Sequence, residues 1–367
     1  MKSKGQVRKF FPGANSAYGF YSFYDQLYGP AFEKVFIFKG GPGTGKSSLL
    51  HMIGEEMRSD GFDVEYHYCS AAPHCLDAIV IPAAGLAILD GTAPHVMDPR
   101  YPGAVEQIIN LGAFWDEAYL VKHRDAIRKL VDEIGDLYRK AYVYLSAAKG
   151  YRDAVESYYG MSNHYYIAAL ENLTLELVEE IFGGKSINKA EARMRKLFAS
   201  AITSQGTMHH LENLVNPFSL VFVLSGEDGR NKKIIMERVA QAALMRGFYV
   251  EAFHCALDPR HIDHLLIPEL EVALVNSMEA HCPELGQLYR DVDTSRFAAK
   301  LPEEALREKN EFLRNYDLAL QNAVTFLHKA NQQHDELERY YIPAMRYDGI
   351  EKLGEEILEK IRRQVRY

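Results

Sequence analysis

The chain has 367 residues, enough for two or three domains that each bury an apolar core. Its composition, 47% hydrophobic and 25% charged, is ordinary for a soluble globular protein, and its net charge of −8 disfavours a dedicated nucleic-acid binder. We expect no membrane span, because no apolar run reaches about 18 residues, and no secretory signal, because no apolar stretch follows the basic N-terminus. Four cysteines do not make a disulfide framework, so we expect reduced thiols in the cytoplasm.

The first predicted elements are a strand, a glycine-rich loop and a helix between residues 35 and 58. Residues 35–39 form a short apolar run before a glycine, as in a buried parallel strand, and residues 47–58 carry apolar side chains on one helical face. Between them the sequence GGPGTGKS matches the phosphate-binding pattern G-x4-G-K-[ST] in its required context. The predicted nucleotide-binding residues are Gly40, Gly41, Pro42, Gly43, Thr44, Gly45, Lys46, Ser47 and Ser48.

Each residue type in this loop suits a triphosphate. Glycines let successive backbone amides curl around phosphate oxygens, and the following helix adds the positive end of its dipole. The Lys46 ammonium would reach the β- and γ-phosphates, and the Ser47 hydroxyl would coordinate Mg²⁺. The loop therefore predicts ATP, or another nucleoside triphosphate, with Mg²⁺.

Further strands are predicted at residues 64–69, 79–81 and 86–89, and this strand–helix–strand order predicts an α/β layer. The last of these strands runs into Asp90. We interpret Asp90 as the Walker B carboxylate, which holds Mg²⁺ and supports catalysis together with Lys46. The alternative is a turn aspartate, since Gly91 follows it.

Two further residues are weaker candidates for catalysis. Glu65 would activate water if it lay at the tip of its strand, and His95 lies on the loop beyond Asp90, where it would sense the γ-phosphate. Both have counterparts in the second half of the chain, Glu251 and His281. This persistence favours a structural role for Glu65 and leaves the role of His95 open between function and fold.

Long helices are predicted after the strands. Apolar residues recur at steps of three, four or seven from Leu120 to Ala148, which is typical of the seam of a long helix that runs to about residue 159. A second helix over 165–182 would fold back on it as a hairpin, and the end of the chain repeats the helical pattern. The simplest interpretation is a structural cap; the alternative is a stalk that binds a protein partner.

The chain is also an internal duplication. With an offset of 186 residues, the predicted strand before the glycine-rich loop matches residues 221–226. Other matched positions include Cys69 with Cys255, Asp77 with Asp263 and Pro82 with Pro268. The predicted domains are lobe 1, residues 1–190, with a core at about 8–113 and a helical hairpin at about 114–183, and lobe 2, residues 191–367, with a core at about 195–295 and a helical region at about 302–367.

The second copy has lost much of the chemistry of a nucleotide site. Ser47 is replaced by Lys233, and Asp90 is replaced by Asn276. Gly45 becomes an asparagine, and acidic residues occupy positions 227 and 228, where phosphate would lie. We therefore expect one nucleotide site in lobe 1 and a pseudo-site in lobe 2.

The segments FFPGAN at 10–15, GFYSFYD at 19–25, the glycine-rich loop and LDGTAPH at 89–95 resemble an uncharacterised family of bacterial tandem-duplicated P-loop ATPases of the RecA/AAA-like NTPase superfamily. The similarity covers nearly the whole chain. It implies an α/β fold of two tandem P-loop NTPase-like lobes with parallel-sheet cores, each followed by a long α-helical hairpin, and it implies ATP binding. In that family the second lobe usually keeps a recognisable P-loop, so lobe 2 departs from the pattern.

Three functions follow from these observations. The leading hypothesis is an ATPase or ATP-driven switch with one active site. The second is a kinase for a small molecule or nucleotide, which is disfavoured because residues 103–120 contain no arginine for a lid over the phosphates. The third is a non-hydrolysing nucleotide sensor or scaffold, which is favoured by the lack of an obvious catalytic glutamate.

Overall fold

The computed structural model describes residues 3–158, 164–188, 192–226, 229–277, 289–295 and 301–365. The predicted lobe boundary near residue 190 lies outside these residues, as does His281. Among the described helices, none combines the length and apolar character that crossing a bilayer requires.

Lobe 1 forms one six-stranded sheet and a small hairpin. Its strands are β1 (Val7–Phe10), β2 (Gly13–Ser16), β3 (Gly19–Ser22), β4 (Lys34–Lys39), β5 (Val64–Tyr68), β6 (Leu76–Ile81), β7 (Leu86–Asp90) and β8 (Glu106–Asn110). The sheet order is β1-β5-β6-β7-β4-β8, and β2 pairs with β3 as the hairpin. The sequence prediction missed β1 and β8, which complete the two edges.

The sheet is mixed rather than parallel, which corrects the predicted parallel core. Strand β6 runs antiparallel to both β5 and β7, while the other neighbours are parallel. The chain enters β6 through residues 69–75 and leaves it through residues 82–85. These connections are too short for the crossover of about a dozen residues that parallel neighbours need.

Lobe 2 repeats this topology. Its strands are β9 (Met194–Leu197), β10 (Ser200–Thr203), β11 (Gly206–His209), β12 (Leu220–Ser225), β13 (Val250–His254), β14 (Ile262–Ile267), β15 (Val272–Asn276) and β16 (Tyr289–Asp293). The order β16-β12-β15-β14-β13-β9 is that of lobe 1, read from the opposite edge, and β10–β11 is the matching hairpin. The duplication seen in the sequence is therefore a duplication of topology.

The two sheets pack face to face. Val35 and Ile37 of β4 share one buried cluster with Val221 and Val223 of β12. The alternate residue Phe36 points to the other side of its sheet, into a cluster with the covering helices. Burial on both faces explains why these strands are continuous apolar runs instead of alternating patterns.

The chain has eight described α-helices: α1 (Lys46–Ser59), α2 (Glu117–Lys122), α3 (Arg124–Ser157), α4 (His164–Phe182), α5 (Leu211–Val215), α6 (Gly229–Met245), α7 (Glu303–Tyr341) and α8 (Tyr347–Val365). The long helix predicted from about residue 120 is present but interrupted between α2 and α3 at His123.

The long helices are exchanged between the lobes, so the predicted hairpin within each lobe is not what the structure has. Helix α4 packs with α6 on the outer face of the lobe 2 sheet, and α8 packs with α1 on the outer face of the lobe 1 sheet. Helix α3 pairs along α7 above the two small hairpins. Small side chains in this seam, such as Ala141 and Ala323, allow close approach of the two helices. The result is a four-layer α/β/β/α sandwich with one long helix pair beside it.

A buried ionic cluster joins the lobes where the sheets meet. Arg195 donates to both carboxylate oxygens of Glu65 at 2.8 and 2.7 Å. Its sequence equivalent Arg8 donates to Glu251, the equivalent of Glu65, at 2.9 Å. Burial opposes the charge of Glu65, but the guanidinium of Arg195 outweighs it and holds the pKa of this carboxyl below its usual range. We name these four residues the interlobe quartet.

Candidate functional site

The glycine-rich loop, residues 40–45, connects the end of β4 to the start of α1. Gly43 has φ +65° and Gly45 has φ +85°, backbone conformations that favour glycine. A Cβ atom on Gly40 would lie 2.7 Å from Thr44 Oγ1. The loop needs its glycines for conformation at two positions and for space at a third.

Lys46, the first residue of α1, folds its ammonium over the loop. Its Nζ donates to the carbonyl oxygens of Gly40 and Gly41 at 2.9 and 2.7 Å. The same Nζ lies 3.6 Å from Asp90 Oδ2, and both side chains are largely buried. The structure therefore brings together Lys46 and Asp90, two residues that the sequence assigned to one site from 44 positions apart.

Asp90 reaches this place because β7 is the parallel neighbour of β4, with Asp90 paired to Phe38 in register. Ligands of α/β sheets bind beyond the carboxyl ends of parallel strands. Asp90 Oδ1 accepts from the backbone amide of Thr92 at 2.8 Å, which leaves Oδ2 facing Lys46.

The residues at this edge fit the predicted Mg²⁺. Ser47 follows Lys46 directly, and its hydroxyl oxygen accepts from the backbone amide of Leu76 at 3.0 Å. Hydroxyl and carboxylate oxygens are the ligand type that Mg²⁺ prefers. Ser47 and Asp90 would hold the ion, while Ser48 is exposed on the next position of the helix.

Asp77 and His95 complete a buried polar group around Asp90. One donor atom from each of Asp77, Asp90 and His95 lies within 4.8 Å of the others. The hydroxyl of Tyr24 donates to Asp77 Oδ2 at 2.7 Å, and its ring stacks on His95 with centroids 4.5 Å apart. Burial raises the pKa of the Asp77 carboxyl above its usual value. The sequence placed His95 near the site but missed Asp77, whose only signal was its match to Asp263.

Lobe 2 covers the glycine-rich loop through the corner between α7 and α8. The backbone amide of Gly43 donates to Glu338 Oε1 at 3.2 Å, and the hydroxyl of Tyr347 donates to the Gly43 carbonyl at 2.7 Å. A Cβ atom on Gly41 would lie 2.8 Å from Tyr341 Cε1. Glu338, Tyr341 and Tyr347 were not predicted as site residues, because no local sequence pattern connects them with a loop about 300 positions earlier.

A cavity of about 670 Å³ adjoins this corner. It is lined by Ala113, Phe114, Met345, Arg346, Tyr347, Asp348 and Gly349. Tyr347 belongs to both places, since its hydroxyl contacts the glycine-rich loop and its side chain lines the cavity.

In lobe 2, the described residues at the equivalent loop bond to one another and to lobe 1. Lys232 Nζ donates to the carbonyl of Gly226, the equivalent of Gly40, at 2.7 Å and to that of Ser277 at 3.1 Å. Lys233, which replaces Ser47, donates to both carboxylate oxygens of Glu156 at 2.8 Å. Glu156 comes from α3 as Glu338 comes from α7, so each lobe inserts a glutamate at the other's loop. Positions 227 and 228 lie outside the described residues.

Glu65 is not brought to the loop. It pairs in register with Val80, which pairs with Ala87, which pairs with Val35, near the start of β4. The loop lies beyond the opposite end of β4, and β5 is three strands away, about 14 Å at the usual strand spacing. Its carboxylate belongs to the interlobe quartet.

The candidate site thus consists of the glycine-rich loop with Lys46, the buried group of Asp77, Asp90 and His95, and the α7–α8 corner of lobe 2 that covers the loop. The chain matches no protein-family model, and comparisons with curated proteins and with solved structures found no significant match.

Proposed function

We propose that lobe 1 binds ATP with Mg²⁺ and that the protein is an ATPase or ATP-driven switch with a single nucleotide site. The observation that carries the proposal is the Lys46 ammonium, placed between the glycine-rich loop and Asp90 at the carboxyl ends of two parallel strands. A lysine at the start of a helix, beside loop amides and an Mg²⁺-binding carboxylate, is what a triphosphate requires.

Each residue has a definite task in this proposal. The amides of the glycine-rich loop bind phosphate oxygens, and Lys46 turns from its own loop carbonyls to the β- and γ-phosphates. Ser47 and Asp90 hold Mg²⁺, which neutralises charge on the phosphates. The nucleoside would extend toward the cavity at Phe114 and Tyr347, whose rings offer stacking surfaces.

The switch follows from the position of lobe 2. The α7–α8 corner bonds to Gly43 through Glu338 and Tyr347, and a phosphate at the same amide would displace the Glu338 carboxylate. Nucleotide binding would therefore change contacts between the lobes. Because α7 pairs along α3, the change would pass into the long helix pair.

The non-hydrolysing sensor is the second candidate, and one observation favours it. Glu65, the only glutamate that the sequence offered as a water-activating group, is bound by Arg195 at the lobe interface. Acidic side chains near the glycine-rich loop include Asp90, Asp77 and Glu338, none of which the sequence offered for activating water.

Two measurements on the purified full-length chain test the proposal. Equilibrium dialysis with ATP and Mg²⁺ should give one nucleotide per chain, with the affinity lowered roughly tenfold or more in Lys46→Ala. Phosphate release without added substrate should then be lost in Lys46→Ala and in Asp90→Asn. Tight binding without turnover would select the sensor. Two nucleotides per chain, or an affinity for ATP that is unchanged in Lys46→Ala, would refute the proposed site.

A further inference from the structure

The group formed by Asp77, Asp90 and His95 buries two carboxylates and an imidazole together. All three residues are less than 9% exposed, and two of them are carboxylates. Buried carboxylates need a cation or several hydrogen bonds to offset the loss of hydration. The cation at hand, Lys46, stands 3.6 Å from Asp90 and is hydrogen-bonded to two loop carbonyls.

His95 gives a second and independent sign of a missing partner. Its residue is 8% exposed, and neither ring nitrogen has a hydrogen-bond partner among the described residues. Nε2 lies 3.9 Å from Asp90 Oδ2, so the ring is directed into the carboxylate pair without bonding to it. A buried imidazole with both nitrogens unbonded, beside two carboxylates, has the arrangement of a metal ligand.

Neighbouring groups hold the three side chains in this arrangement. The Tyr24 hydroxyl bonds to one oxygen of Asp77, and its ring stacks on His95. The Thr92 amide bonds to Oδ1 of Asp90 and leaves Oδ2 toward the group. Partners of this kind, which orient ligands from behind, are typical of built metal sites.

Lobe 2 provides a comparison within the same chain. Asp263 and Asn276 replace Asp77 and Asp90, so one of the two charges is gone. A buried arginine from α3, Arg152, donates to Cys255 at 3.2 Å. Burial opposes its charge, but Cys255, Asp263 and Glu156 raise the pKa of Arg152 above its usual value. The equivalent position of α7 is His334, a half-buried residue whose Nδ1 lies 3.8 Å from Glu338. Lobe 2 thus supplies its own cation, and lobe 1 keeps both carboxylates.

We propose that Asp77, Asp90 and His95 bind one divalent transition-metal ion, such as Mn²⁺, and that they do so without nucleotide. An imidazole with two carboxylates suits Mn²⁺, Fe²⁺ or Zn²⁺ better than Mg²⁺, which prefers oxygen ligands alone. Donor atoms around such an ion are at most about 4.4 Å apart for bonds of about 2.2 Å. The three ligand atoms lie within 4.8 Å of one another, so binding would draw the side chains closer together. The site goes beyond the proposed ATP site, since Asp77 and His95 are not needed to bind a triphosphate.

The test is titration of the metal-free, full-length chain with Mn²⁺ in the absence of nucleotide, followed by electron paramagnetic resonance. We expect one Mn²⁺ per chain, with nitrogen hyperfine coupling from the imidazole. His95→Gln should abolish the nitrogen coupling, and both His95→Gln and Asp77→Asn should weaken binding by roughly 10- to 100-fold or more. Asp263→Asn, the matched change in lobe 2, should leave Mn²⁺ binding unchanged. Thermal melting of each variant confirms that it is folded.

Several outcomes would overturn the inference. They are the absence of Mn²⁺ binding without nucleotide, nitrogen coupling that persists in His95→Gln, and Mn²⁺ binding that requires ATP and survives His95→Gln. The last result would place the ion with the nucleotide instead. ATP binding is measured separately by dialysis, so a chain that binds Mn²⁺ but not ATP would refute the proposed function and leave this metal site standing.

Discussion

The glycine-rich loop of lobe 1 and its equivalent in lobe 2 have the same place in the same topology, but they differ in charge. Each follows the strand equivalent to β4, and in each a lysine folds back onto a loop carbonyl. In lobe 2 the residue after that lysine is Lys233, which forms an ion pair with Glu156. In lobe 1 the same position is Ser47, and the inserted glutamate, Glu338, accepts from a backbone amide of the loop.

Under the proposed function, lobe 2 would have kept the fold and lost the ligand. In lobe 2, Lys233 pairs with Glu156 and Asn276 stands in place of a carboxylate. In lobe 1, the equivalent positions are Ser47 and Asp90, which the proposed nucleotide site uses. Four changes would sharpen or break this comparison, and they are given from the largest expected effect to the smallest.

The largest effect is expected at the interlobe quartet, where equivalent residues of the two lobes differ in burial. Arg195→Met should lower the free energy of unfolding by about 3–5 kcal/mol, because the buried Glu65 loses its two-bond partner and keeps the weaker contacts with His67 at 3.3 Å and Arg8 at 3.7 Å. Arg8→Met should cost less, since the Arg8 side chain is 31% exposed and water can replace it. Urea denaturation measures both.

The double variant Arg195→Met with Glu65→Met is the control and should recover much of the loss. Equal costs for Arg8→Met and Arg195→Met would contradict the asymmetry. Nucleotide binding per folded chain should be unchanged in Glu65→Gln, because Glu65 lies far from the loop in the sheet; a loss of turnover in this variant would return Glu65 to a catalytic role.

The second comparison is between Lys46 in lobe 1 and its equivalent in lobe 2, Lys232. Lys46→Met should weaken ATP binding by roughly 10- to 100-fold, the value of one or two charged hydrogen bonds to phosphate. Lys232→Met should leave the affinity for ATP and the stoichiometry of one per chain unchanged. Isothermal titration calorimetry distinguishes them, and weakening by Lys232→Met to the same degree would show that lobe 2 also binds nucleotide.

Acid should destabilise the folded chain partly through His254, the last residue of β13. The equivalent residue of β5 in lobe 1 is Tyr68. Burial lowers the pKa of His254 to about 4, while the unfolded value is near 6.5. The folded state therefore prefers the neutral ring. The contribution of His254 to the free energy of unfolding is full above about pH 6.5 and is lost as the pH falls toward 4. At pH 5 the free energy of unfolding is lower by about 2 kcal/mol than above pH 6.5 because of this residue.

His254→Asn keeps a donor for the Pro259 carbonyl, which accepts from His254 Nδ1 at 2.6 Å if that nitrogen carries the proton. The difference in unfolding free energy between pH 7 and pH 5 should shrink by about 2 kcal/mol in this variant. Urea denaturation at the two pH values measures it, and an unchanged difference would mean that other groups control acid sensitivity.

The smallest effect is expected from the two inserted glutamates. Glu338→Gln removes a negative charge from the amide that a phosphate would use, and the side chain is 35% exposed, so ATP affinity should rise about three- to tenfold. Glu156→Gln should leave ATP affinity unchanged and should lower stability slightly, because Lys233 loses its ion partner. Weaker ATP binding in Glu338→Gln would indicate that this carboxylate assists the nucleotide site instead of competing with it.

Local patterns were enough for some of these features. Periodicity and turn residues predicted β4, α1 and β7, because a strand buried on both faces and an amphipathic helix each leave a pattern within about ten residues. The same patterns missed β1, whose four residues are too short and too polar to show one. They also suggested a parallel sheet, since the direction of β6 depends on connection length and pairing and not on its own composition.

The sequence by itself determined the loop, its lysine and serine, Asp90 and the duplication with its altered second copy, because spacing along the chain and comparison of two copies carry that information. Only the tertiary structure decided that α4 and α8 cover the opposite lobe, that Glu65 serves the lobe interface, and that Asp77 joins Asp90 and His95. These facts depend on which apolar faces and charges meet between different elements of the fold, 130 residues apart in the case of Glu65 and Arg195. Packing selects those partners by complementary surface and charge, and no local segment encodes them.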